Sequence, residues 1–215
     1  MGHTFEMIVQ FWAYVSSILQ DREELLNCME VTEKQWVAFF HEINPGFFNP
    51  DHDERMQKDK PSSEMCLNLR KFDENCYEKK LPENITFGCL NKDLDELLAV
   101  VEKVMPIWVP LFDGRTKVYC GFVDGKIVSF CMVEDLGEHI LAGERVKIGS
   151  PGCAGTLPEY RNRGIGMVML RNVTKILRDA MYDYSYVHHT YETEWLKKLG
   201  YEVVLRWDDR GFIWS

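Results

Sequence analysis

Clustered basic side chains, long apolar runs and paired cysteine motifs are all missing from this 215-residue chain. Lys and Arg number 25 against 34 Asp and Glu, leaving a formal net charge of -9 and a pI near 5.2. Nucleic-acid backbones are gripped by clusters of Lys and Arg, and none stands here, so no nucleic-acid partner is expected. No apolar stretch approaches the roughly 20 residues that span a bilayer. The first apolar segment is interrupted by Glu6, Gln10 and Ser16-Ser17 and lacks the basic start of a secretory leader. Glu6 also stands where a myristoylation signal needs Ser or Thr. The expectation is therefore a cytoplasmic protein without a membrane contact. The seven cysteines are odd in number and form no C-x-x-C pair, which fits reduced thiols better than a disulfide framework or a zinc site. Internal repeats and low-complexity tracts are absent too, and Asn84-Ile85-Thr86, though a glycosylation sequon, reads as strand.

What is present describes a globular chain, 46% hydrophobic and 27% charged. Phe5, Ile8, Val9, Trp12, Val15 and Leu19 follow a helical period, as do Trp36, Val37, Phe40 and Ile43 behind a Thr32/Gln35 capping pattern. After an irregular stretch between Asn44 and Ser63, Met65, Leu69, Phe72 and Cys76 predict one more helix. A strand at 85–89 then leads into a helix at about 92–105 with Leu94, Leu97, Leu98 and Val101 on one face. Asp124-Gly125 between two β-rich runs, 118–123 and 127–133, is a strong hairpin signal. A strand over 145–156 is expected to bulge at Ser150-Pro151-Gly152. Beyond it lie a long helix from Ile165 to Ala180, a strand at 184–188, a short helix capped by Thr190 and ended by Gly200, and a closing hairpin of 201–207 with 212–214.

The chemistry concentrates at Arg161-Asn162-Arg163-Gly164-Ile165-Gly166, between a strand and the long helix. Its glycines let the backbone turn sharply and approach a ligand. The helix that follows points unpaired N–H groups and its positive dipole end at the turn, so an anion is expected there. On that helix, Arg171, Lys175 and Arg178 fall together on a face that reads as solvated surface.

Strand, Pro158-Glu159-Tyr160, loop, long helix, strand and a short helix ending in Leu199-Gly200-Tyr201 is an order that resembles the GCN5-related N-acetyltransferase (GNAT) family over about residues 83–215, and most closely between Thr156 and Tyr201. The resemblance implies an α/β fold, a mixed, mostly antiparallel sheet flanked by helices. The domain would run over 83–215, behind a helical N-terminal extension over 1–80. It implies that acetyl-coenzyme A binds with its diphosphate on the main chain of Asn162, Arg163, Gly164, Ile165, Gly166 and Met167, with Arg161 and Arg163 adding charge near the phosphates. Thr156 and Leu157 would face the pantetheine arm and acetyl group, with His189 a further cofactor contact. No metal is expected, since His188-His189 has no further His or Cys at ligand spacing.

Acetyl transfer to an amine also needs a proton acceptor and a group that tolerates or protonates the leaving thiolate. The family's glutamate position is occupied here by Ser150-Pro151, and the position of its usual tyrosine by Leu196. Glu134, Asp135, Glu138 and Glu144 are the nearest carboxylates for the base, with Glu134 and Glu144 carried forward; Tyr191 and His189 are the candidates for the acid. The implied activity is transfer from acetyl-coenzyme A to a primary amine of a small molecule or a peptide; the alternative is a coenzyme A binding module with little turnover. The aromatic-rich N-terminal helices would wall the acceptor cleft, form a homodimer surface, or only extend the core.

Overall fold

The computed structural model describes residues 62–91, 94–141, 144–207 and 213–214. The two helices expected before residue 44 lie outside them. The described residues build an eight-stranded sheet. Its strands in chain order are β1 (Ser62–Asn68), β2 (Ile85–Cys89), β3 (Lys117–Val123), β4 (Lys126–Leu141), β5 (Glu144–Thr156), β6 (Tyr184–Thr190), β7 (Glu202–Trp207) and β8 (Ile213–Trp214). In space the order is β2-β3-β4-β5-β6-β1-β7-β8, and every neighbouring pair is antiparallel except β5 with β6. The described residues also form three α-helices, α1 (Leu94–Val104), α2 (Ile165–Asp179) and the single turn α3 (Thr193–Leu196).

One expectation is corrected at once. The helix predicted from Met65, Leu69, Phe72 and Cys76 is instead β1 followed by a short 3-10 turn at Leu69–Lys71. Met65 and Leu67 are buried in alternation, the period of a strand, and Leu69 and Phe72 extend the same apolar surface around the turn. Spacings of four and three residues fit a helix, but Met65, Leu67 and Leu69 fit a strand equally well, and pairing on both edges decides the matter. β1 is inserted between β6 and β7, with Met65 opposite Val187 on one side and Val203 on the other. The sheet thus takes in residues 62–68, which a boundary between 80 and 83 leaves out.

Other local signals are realised closely. Asp124 and Gly125 both have positive φ, 51° and 76°, and close the β3–β4 hairpin with Val123 facing Lys126. β2 occupies 85–89 as expected, and α1 and α2 lie within a few residues of the predicted helices. The bulge in β5 falls slightly later than Ser150-Pro151-Gly152. Phe130 pairs with Gly155 and Met132 with Gly152, so the extra residue lies between them, where Cys153 has φ 42°. Thr190 is not the cap of α3. Glu192 holds that position, and the Thr190 hydroxyl accepts from the Glu192 N–H at 3.0 Å, closing a turn before the helix.

Among the described residues, two cores sit on the two faces of the sheet. Alternate β4 residues divide between them. Cys131 joins the cluster of α2, with Met167, Met169, Leu170, Val173 and Leu177, while Phe130 and Met132 join that of α1, with Leu97, Val100 and Val101. Leu196, Leu199 and Tyr201 close the α2 core. The buried Tyr201 hydroxyl meets Ser185 at 2.6 Å and Thr174 at 3.1 Å, so its polar end is satisfied within the protein. No described helix is long and apolar enough to cross a membrane.

Candidate functional site

The decisive geometry begins where β5 and β6 part. They pair in parallel at Ile148 with Tyr184 and Gly149 with Ser185, and the pairing ends there. From Ser150 onward β5 keeps β4 on one edge, and its other edge opens into a fork. Leu157 N–H still donates to Val128 of β4 at 2.9 Å. By the alternation of an antiparallel ladder, Thr156 therefore turns its own N–H and carbonyl to the open edge. The carbonyl is taken there by Arg161 Nε at 3.0 Å.

The loop leaves the end of this strand. A 3-10 turn at Pro158–Tyr160 leads into Asn162, φ 62°, and Gly164, φ 84°, which is the N-cap of α2 and gives it no side-chain cap. Val168 is the first residue of the helix whose N–H reaches back, to Gly164 at 3.0 Å. Among the described residues, no acceptor takes the N–H groups of Asn162 through Met167. Six consecutive donors at a helix start, bent by two left-handed residues, form an anion nest. Ile165 and Met167 bury their side chains at 1% and 2% exposure, so they serve the nest through main chain alone.

Arg161 and Arg163 brace the loop. Besides the Arg161 contact to Thr156, Arg163 Nη2 donates to the Glu159 carbonyl at 2.9 Å while its guanidinium lies 5.3 Å from the centre of the Tyr160 ring. Gly166 is where another side chain would intrude. A Cβ there would meet Thr156 Oγ1 at 3.0 Å and the Trp195 ring at 3.5 Å, so Thr156 and Trp195 roof the first turn of α2. Ser129 Oγ donates to the Gly155 carbonyl at 2.8 Å, so in its 2.8 Å contact with Thr156 it accepts. The Thr156 hydroxyl is thereby held in place. Leu157, expected to face the ligand, does not: its side chain is buried in the α1 core and its N–H belongs to β4.

Carboxylates divide sharply. Glu134 on β4 is paired with Ser150, the first β5 residue past the fork. It shares the α1 face with Phe130 and Met132, and its carboxylate lies directly against Gly152, where a Cβ would collide with it. Cys153 is next to it. Burial first, and the Glu134 charge second, push the Cys153 thiol up to about 12, so it remains protonated and is no thiolate nucleophile. Burial also drives Cys120 to about 12 and Cys131 well upward. Glu144 starts β5, roughly 40 Å from Thr156 at about 3.3 Å per residue, and the structure does not bring it to the loop. Its side chain and that of His189 lie outside the described set; by main chain, His189 stands near the end of β6. Asp135 and Glu138 pair with Lys147 and Arg145. Tyr191, half-buried, opens the turn into α3. Among the described residues no cluster of His, Cys, Asp and Glu forms a metal site.

Residues 89–204 match the family model of the acetyltransferase (GNAT) domain, more than half of the chain. The chain belongs to the GNAT acetyltransferase family. A solved GCN5-related glucosamine N-acetyltransferase region of a fungal multi-domain GH3 β-N-acetylglucosaminidase is similar in fold, at 19% identity and a TM-score of 0.54 over 67% of this chain and 20% of that one. A GCN5-related N-acetyltransferase from Sphaerobacter thermophilus is 18% identical, with a TM-score of 0.48 over 68% and 49%. A putative GNAT acetyltransferase from Novosphingobium aromaticivorans is 17% identical, with a TM-score of 0.45 over 67% and 60%. This chain thus spans less than two thirds of the length of each. No curated protein matches it.

Ser129, Gly152 and Trp195 take part through the sheet register and the packing of α3, and no motif marks them. Lys79 lies before the matched segment, yet its Nζ donates to the Asn162 carbonyl at 3.2 Å and its stem lies against Gly164. Nothing local in the sequence signals that contact.

Proposed function

We propose that this chain transfers an acetyl group from acetyl-coenzyme A to a primary amine of a small molecule or a peptide. The observation that carries the reading is the set of six unclaimed amides at the start of α2, beside a strand whose edge opens at Ser150. A diphosphate fits such a nest, and an extended thioester arm fits an unpaired strand edge whose N–H groups can donate to amide and carbonyl oxygens. Acetyl-coenzyme A supplies an activated carbonyl; the protein supplies position and proton transfer.

The fork joins the two faces of the sheet. Thr156 and the loop stand on the α2 face, and Glu134 on the α1 face, so the cofactor enters from one side and the amine from the other. Glu134 takes the proton that the amine nitrogen loses as its bond to the acetyl carbon forms and the carbon–sulfur bond breaks. It stands across from Ser150, so a neighbouring strand provides the carboxylate that β5 lacks at that position. Tyr191 is the phenol for the departing sulfur, since Leu196 is buried in the α2 core and carries no proton. The test is thiol release from acetyl-coenzyme A across a panel of amines, amino sugars and peptides. Release that depends on an amine, and falls in Glu134→Gln, is expected. Tight binding of coenzyme A with no release across the panel would instead establish a binding module, the reading that the loss of a tyrosine at position 196 favours.

A further inference from the structure

The segment after β1 crosses the outer side of α2 as a strap. Arg171 Nη1 donates to the Tyr77 carbonyl at 2.7 Å, and Glu74 accepts from Lys175 at 2.6 Å and from Arg178 at 3.0 Å. Between the strap and the first turns of α2 lies a cavity of about 530 Å³ lined by Glu78, Lys79, Lys80, Leu81, Val168 and Arg171. Three cations face one carboxylate there. Among the described residues no Asp or Glu pairs with Lys79, Lys80 or Arg171, whereas Lys175 and Arg178, farther along the helix, are matched by Glu74 and Asp179. The unmatched positive charge is therefore gathered at the loop end of the strap, in an open groove between the strap and α2. Lys79 belongs to both places, since it walls the cavity and touches Asn162 and Gly164 of the loop.

We propose that this cavity is a second anion site that holds the 3′-phosphate of coenzyme A, so that the chain distinguishes coenzyme A from its 3′-dephospho form. The inference rests on the loop gripping the diphosphate. Diphosphate and 3′-phosphate sit on one nucleotide with a ribose between them, and the two sites here are neighbours that share the Lys79 side chain. The volume lies within the usual range of small-ligand sites. Lys80 and Arg171 face the dianion, and Lys79 ties its site to the nest.

Calorimetric titration of the full chain at low ionic strength, with coenzyme A and with 3′-dephospho-coenzyme A, tests this. Coenzyme A is expected to bind about tenfold more tightly, the worth of one charge-assisted contact. Lys80→Ala, at an exposed position, is expected to remove most of that advantage and leave the dephospho form unaffected, and Lys80→Arg to restore it. Equal affinities in the wild type, or equal losses for both ligands in Lys80→Ala, would overturn the second site while leaving the loop intact. Binding of neither ligand would overturn the loop as well, and this inference with it.

Discussion

β5 is two strands in one. At Ile148 and Gly149 it has neighbours on both edges, β4 and β6, and its backbone there is spent on the sheet. From Ser150 to Thr156 its only strand partner among the described residues is β4, its register slips by one residue at Cys153, and its other edge runs toward an uncapped helix start. An orphaned donor in a sheet interior is costly unless something pairs with it. Here the donors of the strand edge and of the loop are contiguous, so the proposed ligand, extended and with a diphosphate at one end, would satisfy both. The first half gives stability and the second gives a site.

Changes in the open half should cost binding and catalysis, and changes in the closed half should cost stability. The largest effect is expected from Gly164→Asp. Its φ of 84° strains any side chain, a Cβ would stand 2.7 Å from the Lys79 stem, and the carboxylate puts a negative charge in the nest. Titration should then show coenzyme A affinity down by at least about 100-fold, with Gly164→Ala in between. Glu134→Gln comes next: kcat should fall about 100-fold or more with coenzyme A affinity unchanged, since a general base acts on the amine and not on the nucleotide. On the packed side, Leu196→Ala should lower unfolding free energy by about 2–5 kcal/mol, read from denaturant midpoints, and leave affinity alone. The smallest effect belongs to Glu74→Gln. Hydrogen bonds from Lys175, then Arg178, hold the Glu74 carboxyl below its ordinary value of 4.5. A lowered folded-state value stabilises above that pH and loses its contribution as the pH falls through it. Glu74, half-buried and screened by solvent, should therefore give a small melting difference from Glu74→Gln at neutral pH that vanishes in acid.

Legibility in the sequence followed the range of the interactions. Asp124-Gly125, the glycines of the loop and the apolar face of α2 act over a few residues, and each was readable. The placement of β1 was not, because Met65, Leu67 and Leu69 choose between helix and strand only when β6 and β7, much later in the chain, offer both edges. The same holds within the site. Asn162 through Met167 declare a turn of free donors by their order alone, whereas Glu134, one of four candidate carboxylates in the sequence, is set beside Ser150 and Gly152 only by the register of β4 on β5, and the side chain of Leu157 is drawn into the α1 core by the same sheet. The basic face of α2, read as solvated surface, turns out to seat the strap through Tyr77 and Glu74. A partner distant in sequence leaves no periodic trace.

The most direct test follows the backbone amide resonances of residues 162–167 while coenzyme A is titrated into isotopically labelled protein. The account predicts large shifts concentrated in those six amides and strong protection from hydrogen exchange in the complex. Saturating coenzyme A that leaves them unshifted, while amides elsewhere respond, would contradict it.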